Sequence, residues 1–195
     1  MTMKNVILIG DSIRMGYQSF VKAECATSAQ IWAPEENGGN SRNVLEHLDE
    51  WVLSRRPDLV HVNCGLHDIR REFGAGPVVP LAEYRANVET ILRRILEVTD
   101  AHGASSRLIW ATMTPVDQQR HHETKGFDRF SADVLSYNRA AVAVCQELEV
   151  PVDDLFVVVT KAGPSRLLLP DGVHFSEEGY RILGRAVADV LRKSL

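Results

Sequence analysis

The stretch Asn5-Val6-Ile7-Leu8-Ile9-Gly10-Asp11-Ser12 decides the fold. Four aliphatic residues in a row stop at a glycine, and two polar, chemistry-capable side chains follow at once. A short continuous apolar run closed by a turn residue reads as a strand buried on both faces, the kind that parallel sheets use. Parallel strands need crossovers, so helical patterns should follow. Ser41 to Arg56 places Val44, Leu45, Leu48, Trp51 and Val52 at helical spacing, with Asn40 or Ser41 as cap and Pro57 as stop. Leu59 to Cys64 is a second buried strand, with Cys64 a core residue. Leu81 to Thr99 carries Tyr84, Val88, Ile91, Leu92 and Ile95 on one helical face. Arg107 to Thr112 is a third strand.

Ser131 to Glu149 is a further helix, with Leu135, Asn138, Val142, Cys145 and Leu148 near one face. Val150 to Val152 reads as a short strand, and Ser28 to Trp32 as a weaker one. Ser176 to Lys193 repeats the helical spacing with Tyr180, Leu183, Val187 and Leu191. This order predicts a parallel sheet with helices on both faces and right-handed crossovers. Residues 1–195 show no linker or repeat and form one expected domain. Asp117 to Phe130 is the longest polar loop, read either as a lid over the substrate or as a surface insertion.

Composition removes several functions. The 195 residues are 45% hydrophobic and 25% charged, as in ordinary globular proteins. A net charge of −4 with scattered Lys and Arg argues against nucleic acid, which needs a concentrated basic face. Cys25, Cys64 and Cys145 form no CxxC pair and read as free thiols of a reducing compartment. The apolar run 6–9 is too short for a membrane span or a signal h-region, so the expected location is the cytoplasm. Adjacent His121 and His122 make a poor metal pair and read as surface histidines. Oligomeric state is not legible.

Open α/β sheets bind ligands beyond the C-terminal ends of their strands. Four polar clusters stand after expected strands or before expected helices: Gly10-Asp11-Ser12, Gly38-Gly39-Asn40-Ser41, Gly65-Leu66-His67-Asp68 and Asp171-Gly172-Val173-His174. Each alone reads as a turn or a cap. Together they supply what acyl transfer needs. A serine hydroxyl requires a neighbouring base, and histidine titrates near neutrality. A carboxylate fixes the imidazole tautomer and stabilises the imidazolium. One turn can deliver both Asp171 and His174. Backbone N–H groups at Ser12 and Gly39 can serve a developing oxyanion.

This set resembles the SGNH hydrolase family, the GDSL-type esterases and lipases, named for Ser, Gly, Asn and His in four blocks. Gly10-Asp11-Ser12 matches the first block, with Ile13 where the family name has Leu. Gly39 is taken as the second-block glycine, Gly38 being the other register. Gly65-Leu66-His67-Asp68 stands where the family has Gly-x-Asn-Asp, and Asp171-x-x-His174 matches the last block. The resemblance implies a three-layer α/β/α, flavodoxin-like sandwich and a serine esterase. Its Ser12 would form an acyl-enzyme, with His174 as base, Asp171 as orienter and no cofactor or metal. It implies an oxyanion hole of Ser12 N–H, Gly39 N–H and the third-block side chain, here His67, whose neutral ring can donate one N–H.

Arg14 and Arg70 lie two residues beyond Ser12 and Asp68. They are expected either to bind an anionic group of the substrate or to pair with Asp11, Asp68 or Glu72. A small-molecule or carbohydrate ester, with a short acyl group such as acetate, is the expected substrate. Lipid esters and thioesters are rivals, as is a binding domain of weak activity on the same fold. The Gly-x-Ser-x-Gly elbow of α/β-hydrolases fails at Arg14, and no nucleotide-binding glycine motif follows the first strand.

Overall fold

A computed structural model of the chain describes residues 3–98, 102–105 and 107–195. Its frame is a five-stranded, all-parallel sheet in the order β2-β1-β3-β4-β5. The strands are β1 (Lys4–Ile9), β2 (Ala29–Trp32), β3 (Leu59–Val62), β4 (Arg107–Ala111) and β5 (Val152–Asp153). Val6 to Ile9 and Leu59 to Val62 are buried throughout, as sheets covered on both faces require. The order 2-1-3-4-5 is flavodoxin-like, and its topological switch point lies between β1 and β3. Gly10-Asp11-Ser12 and Cys64 to Asp68 emerge there.

The helices are α1 (Ser12–Glu24), α2 (Ser41–Glu46), α3 (Leu48–Trp51), α4 (Leu81–Leu96), α5 (Gln118–Thr124), α6 (Ser131–Glu147), α7 (Leu155–Ala162), α8 (Pro164–Leu167) and α9 (Glu177–Ser194). α1 packs on α9 and α4 on α6, giving layers on both sides of the sheet. The expected faces of α4 and α9 are found: Tyr84, Val88, Ile91, Leu92 and Ile95 are buried, as are Leu183, Val187 and Leu191. Thr99, the expected end of α4, lies outside the described residues.

Three expectations change. The span 41–56 is not one helix: it breaks at His47 (φ −98°, ψ 6°) and ends in a 3-10 turn, Leu53–Arg55. The burial of Val44, Leu48, Trp51 and Val52 survives the break, so periodicity alone could not reveal it. The buried stripe of α6 is Val134, Tyr137, Asn138, Ala141, Val144 and Cys145, while Leu135 points to solvent. The face is rotated because Tyr137 enters the core beside Tyr84, with ring centroids 4.9 Å apart. Lastly, the polar segment 117–130 contains α5, capped by Asp117 Oδ1 accepting the Arg120 N–H at 3.1 Å.

Candidate active site

Ser12 is the first residue of α1. Asp11 caps this helix, its Oδ1 accepting the Ile13 N–H at 2.9 Å. The Ser12 N–H precedes the first intrahelical bond and is one of the helix's orphan donors. The hydroxyl faces an imidazole: Ser12 Oγ and His174 Nε2 are 2.9 Å apart. On the other side of that ring, His174 Nδ1–H donates to Asp171 Oδ2 at 2.6 Å. Asp171 Oδ1 accepts the N–H groups of Val173 and His174 at 3.1 and 3.0 Å, so carboxylate and turn are tied together. Burial pushes the Asp171 carboxyl up. The His174 ring bond and the two backbone N–H bonds outweigh it and hold the group well below the usual carboxylate range.

α5 braces this turn, where the sequence reading allowed a lid. Asp117 N–H donates to Gly172 O at 2.8 Å, and His121 Nδ1–H donates to Asp171 O at 3.1 Å. Gly172 has φ +70°, and a Cβ there would stand 2.4 Å from Asp117 O, so only glycine fits between the two segments. His121 is fully buried, which corrects its reading as a surface histidine. His122 is exposed, bonded to Asp128 Oδ1 at 2.7 Å. His121 escaped the sequence reading because its partner is a backbone carbonyl 50 residues away, a contact that leaves no motif.

The second cluster docks on the first. Gly38 N–H donates to Gly10 O at 3.0 Å, and a Cβ on Gly38 would lie 2.7 Å from that oxygen. Gly39 has φ +63°, and its N–H donates to Asn37 Oδ1 at 2.9 Å. Asp68 ties the third cluster to the second. Its carboxylate accepts the Ser41 N–H at 3.0 and 3.1 Å and the Ser41 hydroxyl at 2.5 Å.

Burial pushes the Asp68 carboxyl up to about 6, with the Ser41 bonds opposing it. A carboxyl raised on folding gives stability that is full below its unfolded pKa and is lost as pH rises through the folded value. Between pH 4 and pH 7 the unfolding free energy of Asp68→Asn should therefore gain about 2–3 kcal/mol relative to wild type. Urea melts at the two pH values measure this, and a constant difference would count against it.

His67 is half-buried between Ser12's loop and the arginines. Burial, together with the nearby Arg129, Arg70 and His174, lowers its pKa against the pull of Asp11, which favours the neutral ring. Two asparagines beside the clusters are committed elsewhere: Asn63 Nδ2 donates to Ala111 O at 2.8 Å, and Asn40 caps α2. Arg14 is only 1% exposed. Its guanidinium donates to Gly10 O, Pro34 O, Glu36 O and Gln18 Oε1, so it clamps the loop carrying Gly38 and Gly39 and does not face an open substrate site. Arg70 is half-buried, bonded to Glu72 at 2.8 Å and set 4.0 Å from the Phe127 ring centroid.

Hydroxyl, imidazole and carboxylate in series at the switch point of a flavodoxin-like sheet define the class, a serine-dependent hydrolase. The chain belongs to the GDSL-like lipase/acylhydrolase family, whose profile matches residues 8–182, and it is an esterase of that family. It is 27% identical over 208 residues to the GDSL esterase/lipase CPRD49 of Arabidopsis thaliana, covering 97% of this chain and 79% of that protein. Among solved structures, a lipase/acylhydrolase from Enterococcus faecalis superposes with a TM-score of 0.80 at 25% identity, covering 98% of this chain and 96% of that one. The acetylxylan esterase Axe2 from Geobacillus stearothermophilus shares the fold, with a TM-score of 0.71 at 19% identity over 98% and 94% of the two chains. Among the described residues, no helix is long and apolar enough to cross a membrane.

Proposed function

We propose that the chain hydrolyses short-chain acyl esters through an acyl-enzyme on Ser12, with O-acetylated carbohydrate as the substrate class. The observation that carries this reading is the relay Ser12 Oγ–His174 Nε2 at 2.9 Å and His174 Nδ1–Asp171 Oδ2 at 2.6 Å. His174 takes the Ser12 proton as Oγ attacks the ester carbonyl, then returns it to the leaving alcohol. Water repeats the cycle and releases the acid. The alternation works because Asp171 stays ionised beside a ring that gains and loses charge.

The oxyanion hole is assigned to the N–H groups of Ser12 and Gly39 and to the His67 ring. Gly39 N–H now meets Asn37 Oδ1 and would turn toward, or share with, the oxyanion. Carbohydrate is favoured because the like-folded Axe2 is an acetylxylan esterase. A cytoplasmic setting agrees with three buried, free thiols.

The test is a panel of acetylated sugars and p-nitrophenyl esters of rising acyl length, with mass spectrometry of the quenched protein. Acetyl esters should be cleaved fastest, and the peptide holding Ser12 should carry a transient acetyl group. Preference for long chains, or no acyl adduct at Ser12, would overturn the reading. His67→Ala should lower kcat by about 100- to 1000-fold, as loss of an oxyanion donor does. His67→Asn, which restores an amide N–H, should recover most of that loss. Equal turnover in His67→Ala and wild type would remove His67 from the hole.

A further inference from the structure

The segment after α5 brings a second cation to the site that no sequence motif marked. Arg129 is 6% exposed, yet among the described residues it makes no ion pair. Its Nε–H donates to Leu66 O at 2.5 Å, beside His67, and its Nη1 stands 3.5 Å from His121 Nε2. The Phe127 ring centroid lies 5.0 Å from its Cζ and 4.0 Å from that of Arg70. Two guanidinium groups thus flank one aromatic ring next to the loop that carries His67.

A guanidinium has five N–H donors, and burying one without a matching acceptor is costly. Burial lowers the Arg129 pKa to about 10, so the group is still charged at neutral pH. The two nearby carboxylates do not complete its coordination. Asp171 spends its oxygens on His174, Val173 and the Lys125 ammonium at 3.6 Å. Asp11 Oδ2 is buried and, among the described residues, has no hydrogen-bond partner. Among the described residues, Arg70 forms an ion pair with Glu72 alone, itself exposed and easily displaced. The His67 loop and the segment after α5 therefore bring together two cations, of which, among the described residues, only Arg70 has a carboxylate hydrogen-bonded to it, that of exposed Glu72.

We propose that Arg129 and Arg70 form a carboxylate subsite, so that the preferred ester carries a carboxylate close to the scissile bond. This rests on the esterase reading and narrows it to acidic esters, such as an O-acetylated sugar acid. Charge-assisted hydrogen bonds to the carboxylate would hold the substrate, and a planar guanidinium can take it in a bidentate way. Arg129 would be a specificity residue, with Phe127 keeping both cations in place.

Two matched pairs test it: O-acetylated glucuronic acid against O-acetylated glucose, and the p-nitrophenyl hemisuccinate against the butyrate. The first pair puts the carboxylate on the alcohol side, the second on the acyl side. In wild type, kcat/KM for at least one acid should exceed that of its neutral partner by about 10- to 100-fold, the usual worth of charged hydrogen bonds. In Arg70→Gln and Arg129→Gln that ratio should fall about tenfold or more, mainly through KM of the acid. Arg129 also holds the Leu66 carbonyl, so Arg70→Gln is the variant that tests charge recognition without touching that bond. Acid-to-neutral ratios near one in wild type for both pairs, or a ratio that survives in both variants, would overturn the subsite. Absence of turnover with all four esters would instead refute the esterase reading. Calorimetry with glucuronate, expected to bind wild type and to weaken in Arg70→Gln, then still decides the subsite, because equal or absent binding overturns it.

Discussion

Ser12→Ala is expected to lower kcat/KM for p-nitrophenyl acetate by about 10,000- to 1,000,000-fold, the range found when a serine hydrolase loses its nucleophile. It should also abolish covalent labelling by a fluorophosphonate. The reason is geometric. Among the described residues, the hydroxyl within hydrogen-bond distance of His174 Nε2 is that of Ser12, at 2.9 Å. Removing Oγ leaves no oxygen there for the ring to deprotonate. The fold should tolerate the change, because the helix is capped by Asp11 and not by Ser12, and alanine is a good helix former. The melting temperature should therefore stay near that of wild type. Residual hydrolysis would come from direct attack of water on an ester carbonyl held by the oxyanion donors. Labelling that persists in Ser12→Ala would move the nucleophile elsewhere and with it the whole relay.

The strand Val6 to Ile9 and the polar cluster after it were legible because a parallel sheet makes burial and site adjacent along the chain. The same logic brought the His67 loop to the neighbouring strand end. Asp171 and His174 were legible through their spacing, which fits a single turn. Other features had no local signature. α1 itself was passed over: its buried face is Ile13, Arg14, Tyr17 and Val21, and a buried arginine and a glycine at position 16 disguise the helical stripe. α7 was passed over as well, because Leu155 to Val159 is apolar throughout and largely β-branched and so shows no helical stripe. Its ends decide otherwise: Asp154 accepts the Val157 N–H at 3.1 Å, and Gly163 closes it at φ +88°.

His121, Arg129 and Asp68 act at the site through backbone groups or other clusters far along the chain. Such contacts exist only once the sheet has brought the loops together. Arg14 shows the converse. Its position beside Ser12 suggested a substrate contact, but proximity along a helix says nothing about which face a side chain takes. Here the face is the inner one, against the carbonyls of Pro34 and Glu36.

Asp171→Asn should cost about 10,000-fold in kcat at neutral pH while leaving the geometry of the turn intact, as the equivalent change does in serine proteases. The argument runs through the tautomer of His174. In the native turn Asp171 Oδ2 accepts from His174 Nδ1–H, which leaves Nε2 unprotonated and able to take the Ser12 proton. In the variant, the amide oxygen would keep the Oδ1 place, where it accepts the Val173 and His174 N–H groups. The amide nitrogen then faces Nδ1, and as a donor it needs Nδ1 as acceptor. The ring proton moves to Nε2, so the ring now donates to Ser12 and no longer serves as its base. Geometry is preserved while the chemistry is lost, so Asp171→Asn should fall well below a variant that merely loosens the turn. Steady-state kinetics with p-nitrophenyl acetate, and the rate of fluorophosphonate labelling, should drop together. A loss under about tenfold would mean that the turn's backbone bonds and the α5 brace orient the ring by themselves. Asp171 would then be an anchor of its loop, and the relay would shrink to Ser12 and His174.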